Sequence, residues 1–452
     1  MSSSIFGTDG IRGRAGEGWL TPAGARAVGR AAGEVLGANG AEALLAHDGR
    51  ASADELVGAL AAGLREAGLA PRSAGLLPTP GLAWLTRSGD AALGLMVSAS
   101  HNPAHDNGIK VFGRDGDKPD DALQGRIEEL LRGACAPDEA NHSSSPAVES
   151  DEALRAAYLG HLRSFGADLG EGLAGRRVVL DCANGAGSSV APELAEALGL
   201  DARCLFASPD GANINAGCGS THPEALQRAV ADEGALLGVA LDGDGDRCIL
   251  VDESGALVDG DGILTILGRA MAEGGELPGN AIAATVMSNR ALHIALEERG
   301  VRVIETAVGD RAVVDALKEH GLHLGGEQSG HVVLGERNGF IGDGLVTALA
   351  VLRVMASSGQ PLSALAAPYQ RLPQVLLNVP VRSKPPFEEL PLVQEDVRAA
   401  EEALGSRGRV LLRYSGTEPL ARVMVEGPDL DQIGALAERV AQRLRERIGA
   451  EA

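Results

Sequence analysis

Lysine is scarce in this 452-residue chain. It occurs only at Lys110, Lys118, Lys318 and Lys384, so arginine supplies most of the positive charge. A composition biased towards Arg, Ala and Gly accounts for that. Basic residues as a whole are in deficit: 40 Lys and Arg stand against 62 Asp and Glu, a net charge of -22. An excess of that sign argues against nucleic acid or an anionic membrane as partner of the whole surface. It leaves room for a small anionic substrate, because a few arginines suffice for a locally positive cleft. No apolar run is long enough to span a bilayer. The stretch Met1-Ser2-Ser3-Ser4-Ile5-Phe6-Gly7 lacks the basic-then-apolar order of a signal peptide. Cysteine is confined to Cys135, Cys182, Cys204, Cys218 and Cys248, with no Cys-x-x-Cys pair. That fits reduced thiols in a cytosol better than a disulfide framework or a cysteine zinc site. A soluble, cytoplasmic protein is expected.

What is present is a normal globular balance, 44% hydrophobic and 23% charged. The length exceeds one core, so several domains are expected. Strand, polar loop and helix alternate three times, which indicates α/β layers. The alternation has no fixed short period and reads as a weak structural repeat. A last segment pairs two helices with three strands, a smaller α+β domain; Pro380 places the first of those strands at a sheet edge. The expected boundaries are 1–150, 151–252, 253–368 and 369–452, with an exposed linker over 133–151.

One stretch organises the rest. The apolar strand 93–97 breaks at Ser98-Ala99-Ser100-His101-Asn102-Pro103. Asp106-Asn107-Gly108 predicts a second turn before Ile109-Lys110-Val111-Phe112 resumes strand character. A serine at such a strand end is held rigidly with its hydroxyl towards a cleft. On these residues alone Ser98 and Ser100 are equal candidates to carry a phosphoryl group. His101 and Lys110 flank them as acid, base or charge stabiliser; a desolvated Lys110 would have a lowered pKa, the alternative being that it only pairs with a phosphate. Upstream, Phe6-Gly7-Thr8-Asp9-Gly10-Ile11-Arg12-Gly13 predicts a loop that brings backbone and the Arg12 cation close to a partner.

Asp242, Asp244 and Asp246 alternate with glycine after the apolar strand 235–241. Carboxylates so close repel one another unless a cation neutralises them, and hard oxygen ligands select Mg²⁺, Ca²⁺ or Mn²⁺. An EF-hand loop closed by Glu253 is the weaker reading, because Arg247 stands where that loop needs glycine and the flanks read as strands. Arg413, Ser415, Gly416, Thr417 and Arg422 form an anion cradle of hydroxyls, backbone N–H groups and guanidinium groups. Glu327, Ser329 and His331 alternate on a glycine-lined loop, where carboxylate and hydroxyl suit sugar hydroxyls and histidine suits proton exchange.

Ser-Ala-Ser-His-Asn-Pro, Asp-Gly-Asp-Gly-Asp-Arg, Gly-Glu-Gln-Ser-Gly-His and Arg-Tyr-Ser-Gly-Thr-Glu-Pro occur here in the order found in the α-D-phosphohexomutases, and the chain resembles that family along essentially its whole length. The opening Phe6–Gly13 motif, Asp181-Cys182-Ala183-Asn184-Gly185-Ala186, Val308-Gly309-Asp310-Arg311 and Gln328 resemble the bacterial members that act on glucosamine phosphates. Members acting on mannose and glucose phosphates usually have methionine at the Gln328 position and histidine at the Asp310 position. The resemblance implies three related α/β domains plus a smaller C-terminal α+β domain around a central cleft. It implies that Ser100 is the phosphoserine, and that Mg²⁺ is held by Asp242, Asp244, Asp246 and a phosphoryl oxygen on Ser100. It further implies a sugar-phosphate substrate, a hexose 1,6-bisphosphate activator such as glucosamine 1,6-bisphosphate, and a homodimer. Arg12, His101, Lys110, Arg247 and His331 are then the charge-stabilising or proton-transferring candidates. Glu327 and Ser329 would read sugar hydroxyls, and the Arg413 to Thr417 loop with Arg422 would hold the far phosphate. Rival readings are a mutase of unsubstituted hexose phosphates and a calcium-stabilised sugar-phosphate-binding protein without turnover.

Overall fold

Apolar strands with polar ends sort the chain into four sheets. The computed structural model describes residues 5–7, 9–133, 146–167, 169, 171–415 and 418–450. Most of the expected linker, together with Cys135, Gly416 and Thr417, lies outside the described residues. The chain forms two compact units, one of Met1–Met287 with Val303–Ala367, the other of Ser288–Arg302 with Pro368–Ala452.

The first unit holds three sheets. In the first, β1 (Ile11–Arg14), β2 (Glu42–His47), β3 (Ala70–Leu76), β4 (Leu93–Val97) and β5 (Asp106–Gly113) lie in the order β1-β5-β4-β2-β3. In the second, β6 (Arg177–Asp181), β7 (Asp201–Leu205), β8 (Leu237–Leu241), β9 (Cys248–Val251) and β10 (Leu257–Val258) follow the order β10-β9-β8-β6-β7. The third contains β11 (Ala281–Thr285), β12 (Arg302–Thr306), β13 (Gly325–Gly326) and β14 (Val332–Val333), ordered β12-β11-β13-β14.

The three sheets share one device. β4 runs parallel to β2 and turns back into antiparallel β5. β8 runs parallel to β6 and turns back into β9, and β13 runs parallel to β11 and turns back into β14. The three return loops carry Ser100, the aspartates and the Glu327–His331 stretch. The expected structural repeat is therefore real, and it puts each polar loop at the carboxyl end of a parallel strand, where open α/β sheets bind ligands.

Local chemistry explains the framing helices. Thr21 Oγ1 accepts from Gly24 N at 3.1 Å and caps Pro22–Leu36, with proline at the first position. That helix packs on Ala53–Glu66 through Gly29 and Gly63, where a Cβ would meet the Leu60 and Arg26 carbonyl oxygens at 2.3 and 2.0 Å. Leu45, Leu60, Leu64 and Leu95 fill the core between these helices and the first sheet. Among the described residues no helix is long and apolar enough to cross a membrane.

Two expectations are corrected. Asp106-Asn107-Gly108 is not a turn but the start of β5, and Ile11–Arg14 in the expected opening loop pairs with it as an antiparallel edge strand. Gly108 is needed for close approach, since a Cβ there would meet the Ser98 and Ile11 carbonyl oxygens at 2.5 and 2.8 Å. β3, with Pro71 and Gly75, gave no strand pattern in the sequence; it occupies a sheet edge, where proline is tolerated.

In the second unit β15 (Gln374–Pro380), β16 (Arg409–Tyr414) and β17 (Leu420–Glu426) form the sheet β15-β17-β16, with Pro380 on an edge strand as expected. The helices Pro391–Leu404 and Leu430–Ile448 contribute Val393, Val440 and Leu444 to its core. Glu426 is fully buried there. It accepts from Arg409 Nε at 2.6 Å, Gln374 Nε2 at 2.7 Å, and both Asn289 Nδ2 and Arg290 N at 3.2 Å.

Candidate active site

Ser100 ends the β4 return with a left-handed φ of 52°, and it is 1% exposed. Its Oγ donates to Asp242 Oδ2 at 2.6 Å and lies 3.3 Å from His101 Nδ1. Ser98 is a supporting neighbour: its Oγ accepts from Ser100 N at 2.8 Å and donates to Asp48 Oδ2 at 2.7 Å. Of the two serines, only Ser100 hydrogen-bonds to the cluster of Asp242, Asp244 and Asp246 among the described residues. The two loops pack without a gap. A Cβ on Gly243 would meet the Ser100 carbonyl oxygen at 2.6 Å.

One carboxylate oxygen from each of Asp242, Asp244 and Asp246 lies within 4.8 Å of the others. Asp244 Oδ1 and Asp246 Oδ1 are buried without a hydrogen-bond partner among the described residues. Burial first, then the charges of Asp246 and Asp244, push the Asp242 carboxyl well above its ordinary range. Orphaned hard oxygens beside a carboxyl that resists ionisation are what a divalent cation would satisfy, so the residues present fit a divalent metal. Glu253 takes no part and instead accepts from Ser363.

Lys110, on β5, lies 2.8 Å from Asp244 Oδ2, 3.1 Å from Asp9 Oδ2 and 3.4 Å from Asp246 Oδ2. This corrects the expected lowered pKa. Burial does oppose the ammonium, but the charges of Asp244, Asp9 and Asp246 outweigh it and hold the pKa above the ordinary lysine value. Asp244 responds in the opposite direction: burial would raise it, but Lys110 and the Thr79 hydroxyl keep it below the usual carboxylate range. Arg12 pairs with Asp9 and donates to the Ala99 carbonyl at 3.3 Å. Arg247 donates its backbone N–H to Asp242 Oδ1 at 3.2 Å. His101 is shifted down by burial, then by the Arg247 and Arg12 charges, so its ring stays neutral at pH 7.

On the third return loop, Glu327 Oε1 accepts from Gly309 N at 3.1 Å, and Ser329 is exposed. His331 is buried against Gly342, with Nδ1 unpartnered among the described residues. In the second unit Arg413 and Arg422 are cross-strand neighbours. Ser415 Oγ accepts from Glu418 N at 3.3 Å, and Arg422 pairs with Glu418 at 3.2 Å.

Several residues escaped the sequence reading. Lys118 bridges Asp9 and Asp310, Thr79 donates to Asp244, and Lys384 donates to the Ser415 carbonyl. Arg50 and Asn215 donate to the Ser100 carbonyl, and Asp48 accepts the Ser98 hydroxyl. The scarcity of lysine was the one available signal, since Lys110, Lys118 and Lys384 all serve these loops.

Known proteins match this chain along its length. Models of phosphoglucomutase/phosphomannomutase α/β/α domains I, II and III match residues 3–135, 156–255 and 259–372, and the C-terminal domain model matches 376–443. A phosphoglucosamine mutase of Rhodococcus erythropolis is 48% identical over 98% of this chain and 99% of its own. One of Moorella thermoacetica is 48% identical over 97% and 99%. A phosphoglucomutase/phosphomannomutase family protein of Burkholderia thailandensis, 27% identical, superposes over 100% of both chains with a TM-score of 0.79. The fold is also that of Aspergillus fumigatus N-acetylphosphoglucosamine mutase, at 20% identity, TM-score 0.65 and coverage of 98% and 95%. By sequence and by fold, the chain belongs to the phosphoglucomutase/phosphomannomutase family.

Proposed function

We propose that this chain is a phosphoglucosamine mutase, interconverting glucosamine 6-phosphate and glucosamine 1-phosphate for amino-sugar nucleotide and cell-wall precursor synthesis in the cytoplasm. The observation that carries the reading is the Ser100 hydroxyl, held 2.6 Å from Asp242 within the aspartate cluster. The names of the relatives at 48% identity choose the sugar.

Phospho-Ser100 gives its phosphoryl group to the free hydroxyl of the substrate. The P–O bond to Ser100 breaks, a P–O bond to the sugar forms, and the sugar hydroxyl proton leaves to a base. The resulting 1,6-bisphosphate turns over, and its other phosphoryl group returns to Ser100. Asp242, Asp244 and Asp246, with a phosphoryl oxygen on Ser100, would hold Mg²⁺, which when bound offsets phosphoryl charge. Arg12, Lys110 and Arg247 offset charge near the serine. His101, held neutral, and His331, whose Nδ1 has no partner among the described residues, are suited to proton exchange. Glu327 and Ser329 read hydroxyls that exchange places as the ring turns. Arg413, Ser415, Gly416, Thr417 and Arg422 receive the phosphate that is not being transferred. A hexose 1,6-bisphosphate restores enzyme that has lost its phosphate.

The test is kcat/KM for glucosamine, glucose and mannose 6-phosphates with added hexose 1,6-bisphosphate, alongside intact mass before and after phosphatase. The expected result is a preference for glucosamine phosphate and one removable phosphate on Ser100. A preference for a hexose without the amine overturns the substrate, and binding without turnover or phosphoserine overturns the reaction.

A further inference from the structure

One buried arginine makes four hydrogen bonds to the backbone at the loop bearing Ser100. Arg50 is 2% exposed, and each of its five N–H bonds has an acceptor. Nε donates to Asp48 Oδ2 at 2.9 Å. One terminal nitrogen donates to the carbonyls of Ser100 and Asn102, both at 2.9 Å. The other donates to the carbonyls of Pro103 and of Asp106, the latter at 2.9 Å. Asn215 reinforces two of these, its Nδ2 donating to Ser100 O at 2.9 Å and Asn102 O at 3.1 Å. Asp48, the Arg50 counter-ion, accepts the Ser98 hydroxyl that in turn accepts Ser100 N–H. The backbone on both sides of the Ser100 side chain is thus tied to one buried ion pair.

Two physical consequences follow. Left-handed φ is unfavourable for a residue with a Cβ and persists only when its surroundings over-determine it. Here the surroundings are Arg50, Asn215 and Ser98. Carbonyl oxygens facing a phosphoryl dianion would also repel it. One guanidinium here engages four of them and offsets their negative ends.

We infer that Arg50 is a positioning residue, whose fork of donors, supported by Asp48 and Asn215, fixes the Ser100 loop in the one conformation that aligns Oγ for phosphoryl transfer. The inference rests on the reading of Ser100 as phosphoryl carrier. It requires the fork and not merely the charge, because lysine has one nitrogen at the end of a flexible stem and cannot span the same carbonyls.

The experiment is single-turnover transfer of labelled phosphate from Ser100 to glucosamine 6-phosphate, in wild type and Arg50→Lys. A purely structural role lowers the fraction of competent molecules, and so the amplitude, and leaves the rate constant unchanged. Positioning lowers the rate constant itself, by an expected tenfold or more for a misaligned nucleophile. If Arg50→Lys yields no folded protein, Ser98→Ala and Asn215→Ala each remove one strut, with an expected loss of about fivefold per strut. Wild-type rate constants in the folded variants overturn the inference. Absence of label on Ser100 in wild type overturns the reading beneath it, a separate outcome.

Discussion

Ser100 Oγ and Asp242 Oδ2, 142 residues apart in sequence, lie 2.6 Å from each other. The hydroxyl proposed as phosphoryl carrier is therefore also the donor to a carboxyl whose ionisation burial opposes.

Replacing that serine separates chemistry from backbone. Both Ser100→Ala and Ser100→Gly should abolish isomerisation with the fold retained. Glycine, free of the left-handed penalty at φ 52°, should leave the protein about 1 kcal/mol more stable than alanine. Thermal unfolding of the two variants checks this, and an equal or reversed order counts against a strained serine.

The orphaned oxygens of Asp244 and Asp246 predict metal-linked stability. Mg²⁺ at a hundredfold excess over its Kd should stabilise wild type by about 2.7 kcal/mol, and Asp246→Asn should lose most of that shift. A melting temperature insensitive to Mg²⁺ in wild type would contradict the site.

Lys110→Met should be costly out of proportion to its size. It strips buried Asp244 of its ammonium partner at 2.8 Å and Asp9 of one at 3.1 Å. Breaking a buried pair from one side costs about 3–5 kcal/mol. Urea midpoints give the value, and a loss under about 1 kcal/mol would show that Lys110 is not needed to balance these charges.

Asp343 contributes a pH dependence. It caps the helix Gly344–Ser358, accepts Tyr158 Oη–H at 2.7 Å, and is raised to about 6, burial outweighing its hydrogen bonds. The folded protein thus binds this proton more tightly than the unfolded chain, whose carboxyl titrates near 4. Its contribution is whole below about pH 4 and fades as pH rises through about 6. Asparagine can keep the cap without ionising. Relative to wild type, Asp343→Asn should gain stability between pH 4 and 7, by up to about 3 kcal/mol. Urea midpoints across that range test it, and a gap that does not change with pH would exclude Asp343 as the titrating group.

The legible parts of this site were those written in contiguous residues. Three aspartates at alternate positions and a serine at a strand end each announce their chemistry within a few residues. Arg50 did not, because an arginine in a turn looks the same whether it meets water or four backbone carbonyls 50 to 56 residues away. Lys110 misled for a related reason. Its burial was foreseeable from β5, but Asp9 and Asp244, which reverse the effect of burial, come from two other stretches of chain. In β5, Gly108 resembled a turn former and serves instead to let three backbones touch.

The buried Glu426 has a consequence for how the protein is made. Two of its donors, Asn289 and Arg290, leave the ribosome long before β17 does, and the chain returns to the first unit in between. The second unit therefore cannot finish folding as a C-terminal afterthought. A fragment beginning at Pro368 would carry Glu426 without those two donors, so the last domain is not separable by cutting the chain once.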